Sequence, residues 1–502
     1  MLKQTIISIL HPLYLIISIL LGLYSLNFSI LTCIFWLRKL QRKEVGNTSF
    51  APPSNANWPM VAVQLPMYNE GQIAVRLIDQ VAGFDYPLDC MHIQILDDST
   101  DGTTELIAQR AEYWKSQGRW ITLHHRTNRK EYKAGALREA MDQTPADLFA
   151  VFDADFLPPA DWLKKTVSPF MLPSSEQLGF VQTRWAHLND RYSLITMAQA
   201  LFMDAHFGIE QPISTSLGFF NYLNGTGFIL RRACVLEAGN WCGDTLVEDM
   251  DLCIRAQIAG WKGIFLRDVS APAELPALIS AYKSQQYRWA KGSIQSIRRL
   301  TGKILRSKLP IATRMEGLVH IFSYLIHPLI FLLLILALPL YLWSNDWLVK
   351  LPIRSLSIIG LSMPFYYFSA HLVLYPPRRW PEILLRLPAL SLLSLGVLVN
   401  NTFALIDGMG KGPVVFERTP KLGILQHDRP NLKSVKIPLK VSKSMWVEIV
   451  LAIYAVWASI ITMQGGNIIA AYFFSMYSLG LGWIAGVEII ENIAVARNTR
   501  HS

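Results

Sequence analysis

Cysteine is scarce in this sequence. There are five (Cys33, Cys90, Cys234, Cys242 and Cys253) among 502 residues, an odd number with no Cys-x-x-Cys pair. That argues against a disulfide framework or a zinc site and marks the five as reduced, mostly packing residues of a cytosolic domain. Charge is sparse too, 17% of residues against 51% apolar, which is low for a soluble protein. Neither G-x-G-x-x-G nor G-x-x-x-x-G-K-[ST] occurs, so a dinucleotide oxidoreductase or a P-loop NTPase is disfavoured. The N-terminus has no short apolar core with a small-residue cleavage site, so it does not read as a signal peptide. The net charge of +10 gathers beside apolar segments, which points to a membrane surface and not to nucleic acid.

What the chain does have is apolar sequence in long blocks. Residues 5–37 are almost wholly apolar and end in Arg38-Lys39 and Arg42-Lys43. One membrane helix is expected at about 12–36 within 1–45, with residue 38 onward in the cytoplasm. A linker over 46–59 follows, rich in Asn, Ser and Pro. Further apolar spans lie at about 317–343, 355–375, 383–406, 445–464 and 467–489. The span at 383–406 contains Arg386, Pro388, Asn400 and Asn401 and is the costliest to bury in lipid, so it is assigned to the interface (377–407). Two membrane helices are then expected in 317–376 and two in 444–502. The basic loop 408–443, with Arg418, Lys421, Arg429, Lys433, Lys436 and Lys440, falls in the cytoplasm, as does the tail with Arg497 and Arg500.

Between these blocks, residues 60–271 read as a soluble α/β domain. Predicted strands at 61–65, 92–96, 120–124 and 148–152 each end in a polar turn, and helices follow the second and third. Repeated strand–turn–helix units imply a mostly parallel sheet with helices on both faces, inserted in an α-helical, multi-pass membrane domain. Residues 272–316 carry Gln285-Gln286-Tyr287-Arg288-Trp289 and a basic amphipathic tail, suited to helices in the membrane interface.

Candidate chemistry falls at the strand ends. The stretch LFAVFDADF (148–156) is a short buried strand that stops at Asp153 and Asp155. Ligands bind beyond the carboxyl ends of such strands. Two carboxylates there suit a hard divalent cation on a phosphate-bearing substrate, or merely cap the next helix. Asp97-Asp98 follow the second strand; Lys133 precedes a helix and is placed to meet a diphosphate or simply to be solvated. Glu248-Asp249-Met250-Asp251 open a helix, where first-turn acids are favoured by the dipole alone. In Gln285-x-x-Arg288-Trp289 an indole offers a face for a sugar ring and a guanidinium can grip phosphate, or the pair anchors an interfacial helix.

As an ordered set these motifs are specific: PMYNE (66–70), DDSTDGT (97–103), KAGAL (133–137), FDADF (152–156), VQTRW (181–185), NGTG (224–227), VEDMDL (247–252) and QQYRW (285–289). The chain resembles an inverting family 2 glycosyltransferase of the cellulose synthase-like superfamily, in particular the plant-type mannan/glucomannan and xyloglucan glucan synthases and their bacterial relatives. FERTPK (416–421) also resembles that family's gating-loop pattern Phe-x-Val-Thr-x-Lys, with Arg418 where valine is usual.

The resemblance implies a GT-A-like catalytic domain and a set of roles. Donor contacts would come from Tyr68, Glu70, Asp97, Asp98, Lys133, Asp153 and Arg288, and Asp153 with Asp155 would hold Mg²⁺ or Mn²⁺. Asp249 would be the general base, tuned upward by burial and by its acidic neighbours Glu248 and Asp251. Asn224, Gly225, Thr226, Gln285 and Trp289 would face the acceptor, and Phe416, Thr419 and Lys421 would form the gate. The donor would be UDP-glucose or GDP-mannose and the acceptor a growing glycan or a lipid. The expected activity is processive synthesis of a β-linked, 1,4-type glucan or mannan passed across the membrane. A single transfer to a lipid is the alternative, and a transporter with a degenerate transferase domain is a third reading.

Overall fold

The computed structural model describes residues 2–41, 43, 45, 50, 57–343, 361–410, 416, 418–425 and 442–499. Most of the expected linker 46–59 lies outside them, as do residues 355–360 of one apolar span and Arg429, Lys433, Lys436 and Lys440 of the basic loop. Arg42, Arg500 and the side chain of Arg497 lie outside as well.

The chain opens with α1 (Leu2–Leu40), which ends in Arg38 and Lys39. Then β1 (Val61–Met67), α2 (Gln72–Ala82), β2 (Met91–Asp97), α3 (Thr103–Ser116), β3 (Ile121–His125), α4 (Tyr132–Met141) and β4 (Leu148–Val151) alternate. Next come α5 (Trp162–Val167), β5 (Leu178–His187), α6 (Leu194–Ala205), a π-helical turn (His206–Glu210) and α7 (Gln211–Leu217). The domain ends with β6 (Phe228–Arg231), α8 (Arg232–Glu237), α9 (Glu248–Ile258) and β7 (Lys262–Ala273).

The seven strands form one sheet in the order β3-β2-β1-β4-β6-β5-β7. β1 pairs in parallel with both β2 and β4, whereas β6 runs antiparallel between β4 and β5. Alternation along β1 sends Val61, Val63 and Leu65 into one apolar layer and Ala62 into the other, so both faces are covered. Because β1 is flanked by β2 and β4, the chain leaves it in opposite directions, and the crevice at the carboxyl ends of these strands is where ligands lodge. Met67 lies level with Asp97. Cys234 and Cys253 are buried packing residues, and none of the five cysteines is in a disulfide.

Beyond the sheet lie α10 (Ile279–Arg306), α11 (Ile311–Ile321), α12 (Ile326–Trp343), α13 (Ser362–Leu374), α14 (Ile383–Gly396), α15 (Leu398–Met409), α16 (Lys443–Gln464) and α17 (Ile468–Thr499). Among the described residues four segments are long and apolar enough to cross a membrane: Ile6–Leu40, Ser323–Trp343, Lys443–Gln464 and Ile468–Ala494. The chain is accordingly a membrane protein. A bent pair, Pro377–Gly396 with Leu398–Met409, passes the same test as one broken span with a 44° bend.

The polar residues that argued for an interfacial 383–406 have protein partners. Arg386 is fully buried, 2.6 Å from Asp190 and 2.8 Å from Glu382. Asn400 donates to the Lys283 carbonyl, and the Asn401 amide meets His327 at 3.0 Å. Protein partners lower the cost that lipid alone would impose.

Helix α10 is one continuous 28-residue helix fastened to the last two helices. Lys283 Nζ lies 2.8 Å from Glu448 and 2.7 Å from Glu488, all buried. Its amino end is capped from a distance: Glu491 accepts the Ile279 N–H at 2.7 Å and the Ser280 N–H at 3.2 Å. Against its other side lies Gly408, where an added Cβ would sit 2.2 Å from Ile294 Cγ2, so the two helices touch through backbone.

Candidate active site

Two strand-end turns are tied together before any site can form on them. Asn69 adopts φ +56°, a left-handed conformation that asparagine tolerates. Its side chain accepts from Thr100 N–H at 2.8 Å, while its own N–H donates to Ser99 Oγ at 2.9 Å. Asp97 is fully buried beneath this turn. Burial alone would raise its carboxyl. Hydrogen bonds from Ser99, Thr104 and His125 outweigh that and hold it below the ordinary carboxylate value. Asp98 takes a fork of two bonds from Arg126, Nε at 2.8 Å and Nη2 at 2.7 Å. The Arg129 guanidinium covers the Tyr68 ring at 3.4 Å.

Past β4 the two metal candidates each face a lysine. Lys133, delivered by the first turn of α4, lies 2.5 Å from Asp153 and 2.6 Å from the Gly225 carbonyl. Burial would lower this ammonium, but Asp153 and Glu248 raise it above its ordinary value. Lys421 lies 2.7 Å from Asp155. Both carboxylates thus already draw cations, and both line one cavity. Among the described residues no group of three or more His, Cys, Asp or Glu side chains could hold a metal. The protein would supply a hard cation with these two oxygen donors at most, leaving positions for phosphate and water. That fits Mg²⁺ or Mn²⁺.

Glu248 and Asp249 open α9 on the cavity wall. Enclosure by protein raises both: Asp249 to about 6, against the Met250 N–H and Lys133, and Glu248 to about 7, with the Asp249 charge adding to the rise. Asp251 does not share this environment. It is buried, 2.7 Å from Arg255 and 3.2 Å from Arg299, so it is not the acidic neighbour that tunes Asp249. Gly225 has φ +80°, and a Cβ there would meet Asp249 Oδ2 at 3.7 Å, which brings the NGTG loop against the base.

The QQYRW segment lies on α10. Arg288 donates to Thr419 at 2.6 Å, and its guanidinium covers the Phe416 ring at 4.5 Å. Trp289 packs beside Met203, Phe207 and Phe265. The loop carrying Thr419 is pinned from below by Glu274, which accepts the Leu422 and Gly423 N–H groups at 2.8 and 2.9 Å. Arg418, where the family pattern has valine, lies 2.8 Å from Glu70 and donates to the Asn69 carbonyl at 2.6 Å. Burial nevertheless raises Glu70 to about 7, with Arg418 working against it.

One cavity of about 450 Å³ gathers most of these groups. Tyr68, Glu70, Asp98, Lys133, Asp153, Asp155, Asn224, Gly225, Asp249, Gln285, Arg288, Trp289, Phe416, Thr419 and Lys421 all line it. Asp97 and Thr226 do not; both are structural. Thr226 Oγ1 accepts the Asp153 N–H at 2.9 Å and so aims the strand end. Tyr24 and Phe28 of α1 and Tyr366 and Tyr367 of α13 line the same cavity. Residues that the motifs did not flag also line it or support it: Arg126, Arg129, His206, Glu210, Glu274 and His320. Only their pairings mark them, and those pairings are made in three dimensions.

The sequence has known relatives. The model for glycosyl transferase family 2 matches residues 62–206, and that for glycosyl transferase family group 2 matches 148–345. A glucomannan 4-beta-mannosyltransferase of Oryza sativa subsp. japonica is 40% identical over 269 residues, 53% of this chain and 50% of the relative. A probable glucomannan 4-beta-mannosyltransferase of Arabidopsis thaliana is 35% identical over 357 residues, 67% of this chain and 64% of the relative. A solved mannosyltransferase from Pyrobaculum calidifontis, in complex with GDP-Man and Mn²⁺, covers 78% of this chain and 99% of its own, at 20% identity and a TM-score of 0.48. These matches support a family 2 glycosyltransferase of the cellulose synthase-like kind. The chain spans about half the length of several of the curated relatives it matches.

Proposed function

We propose that the chain is a metal-assisted, inverting glycosyltransferase that polymerises a β-1,4-linked glycan on the cytoplasmic side of a membrane and feeds it into its own membrane domain. The names of its relatives favour mannose, and hence GDP-mannose, over UDP-glucose as donor. The observation that carries this reading is one cavity lined by the aspartates beyond β4, by Trp289 and by aromatic side chains of α1 and α13. Arg38 and Lys39 at the end of α1 support a cytoplasmic catalytic domain.

In this reading Tyr68 and Asp98 flank the nucleoside, and Lys133 and Arg288 hold the diphosphate. Asp153 and Asp155 would hold Mg²⁺ or Mn²⁺, which when bound supplies charge neutralisation for the departing nucleoside diphosphate. Asp249 takes the proton of the acceptor hydroxyl as that oxygen bonds to the anomeric carbon and the carbon–phosphate oxygen bond breaks. One displacement turns an α-linked donor into a β-linked product. Trp289 supports the terminal sugar of the acceptor.

Membranes containing the chain, supplied with labelled GDP-mannose or UDP-glucose and Mn²⁺ or Mg²⁺, test the reading. The expected product is a polymer released by an endo-β-mannanase or endo-β-glucanase. A single labelled sugar extracted into organic solvent would replace polymerisation with transfer to a lipid. Release of no nucleoside diphosphate from any sugar nucleotide would overturn the enzyme reading altogether.

A further inference from the structure

A hydrogen-bonded relay behind the NGTG loop has no place in the mechanism above, yet its polarity is fully determined. It begins at a group that can only donate: the Tyr222 N–H, which meets Gln211 Oε1 at 3.2 Å. The amide nitrogen of Gln211 therefore faces the Tyr222 carbonyl at 2.7 Å and Asn224 Oδ1 at 3.0 Å. With its oxygen so engaged, Asn224 turns its own NH₂ to His206 Nε2 at 3.1 Å. That nitrogen must offer a lone pair, so the ring proton of His206 resides on Nδ1, which donates to Glu210 at 2.9 Å. The second oxygen of Glu210 takes His320 Nδ1 at 2.8 Å, and His320 in turn stacks on Tyr222 with ring centroids 3.6 Å apart.

The backbone is built around this pairing. His206 and Glu210 bound a π-helical turn in which the Gln211 N–H reaches back five residues to the His206 carbonyl. Such turns recur where a side chain must be re-aimed. Gly208 lets the turn settle against α13, where a Cβ would lie 3.1 Å from Leu374. His206, Glu210, His320 and Asn224 all line the cavity.

We propose that His206, oriented by Glu210, is a positioning residue for the acceptor. It locks the Asn224 amide so that its second N–H addresses a hydroxyl oxygen of the acceptor's terminal sugar. A hydroxyl held as a hydrogen-bond acceptor by Asn224 keeps its own proton for Asp249, whose Oδ2 a Cβ added at the neighbouring Gly225 would meet at 3.7 Å. This inference rests on the glycosyltransferase reading and extends it to residues outside the family motifs.

The test is acceptor kinetics with a β-1,4-manno-oligosaccharide, alongside binding of the nucleoside diphosphate. His206→Phe should lower kcat/KM for the acceptor about tenfold, the scale of one lost hydrogen bond, and leave nucleotide affinity unchanged. His206→Gln retains an acceptor toward Asn224 and a donor toward Glu210, and should restore most of that loss. Asn224→Ala should cost as much as His206→Phe, and the double variant no more than either alone. Equal losses with Phe and Gln, additive losses, or a matching loss of nucleotide affinity would overturn the relay. A wild-type protein that transfers no sugar from any donor would instead bring down the function on which it rests.

Discussion

At the scale of single residues, the informative feature is that two adjacent carboxyls are raised together. Asp249 and Glu248 sit at about 6 and about 7 because the cavity wall withholds water from both. A base works only when deprotonated, so turnover should rise with pH through this range and level off above it. Burial, and not the Glu248 charge, is the main cause of the raised Asp249 carboxyl, so Glu248→Gln should leave this limb near its wild-type place, read from the pH profile of kcat at saturating substrates. Asp249→Asn should reduce turnover by about 10² to 10⁴ while nucleotide binding, followed by calorimetry, stays near that of the wild type. Loss of binding in step with turnover would remove Asp249 from the base role. These residues were legible in the sequence because they stand at strand and helix starts in a fixed order. Arg126, which forks onto Asp98 from beyond the next strand, was not. Asp97, adjacent to Asp98 and equally acidic, proved to be buried support because the two side chains point into different surroundings.

At the scale of elements, the first half of the sheet could be read directly. Apolar runs with polar ends mark β1 to β4, and the observed limits differ from the expected ones by a residue or two. The second half could not. β6 is four residues long, and its antiparallel insertion between β4 and β5 depends on pairings made far along the chain. The same blindness applied to Arg386, whose partner Asp190 is nearly two hundred residues away. It applied also to the way Lys283 of α10 is held to Glu448 and Glu488. Lys283→Met would strand two carboxylates without their cation and should destabilise the protein by about 3–5 kcal/mol. Thermal unfolding in detergent measures this. Because α10 carries Gln285, Arg288 and Trp289, activity should fall at temperatures where the fold is still intact.

At the scale of the whole molecule, the cavity crosses from the sheet into helices suited to lipid, so transfer and export would share one path. In sealed vesicles with the catalytic domain outward, the polymer should resist added glycanase until detergent is supplied. Immediate digestion would mean release at the catalytic face.

The two lysine–aspartate pairs at the end of β4 bear on how that path is entered. Lys133 with Asp153 and Lys421 with Asp155 make two neutral pairs where the metal and the diphosphate are proposed to bind. A sugar nucleotide's diphosphate carries about two negative charges, which a divalent cation cancels. A metal–nucleotide complex would therefore bring no net charge to these two pairs. In the proposed reading the aspartates would hold the cation and the lysines the phosphates, so binding would exchange partners among these four side chains with no change in their net charge. A bare metal ion or a bare nucleotide, in contrast, would leave uncompensated charge in a confined space. Charge balance at these two pairs would thus favour the metal and the nucleotide arriving together.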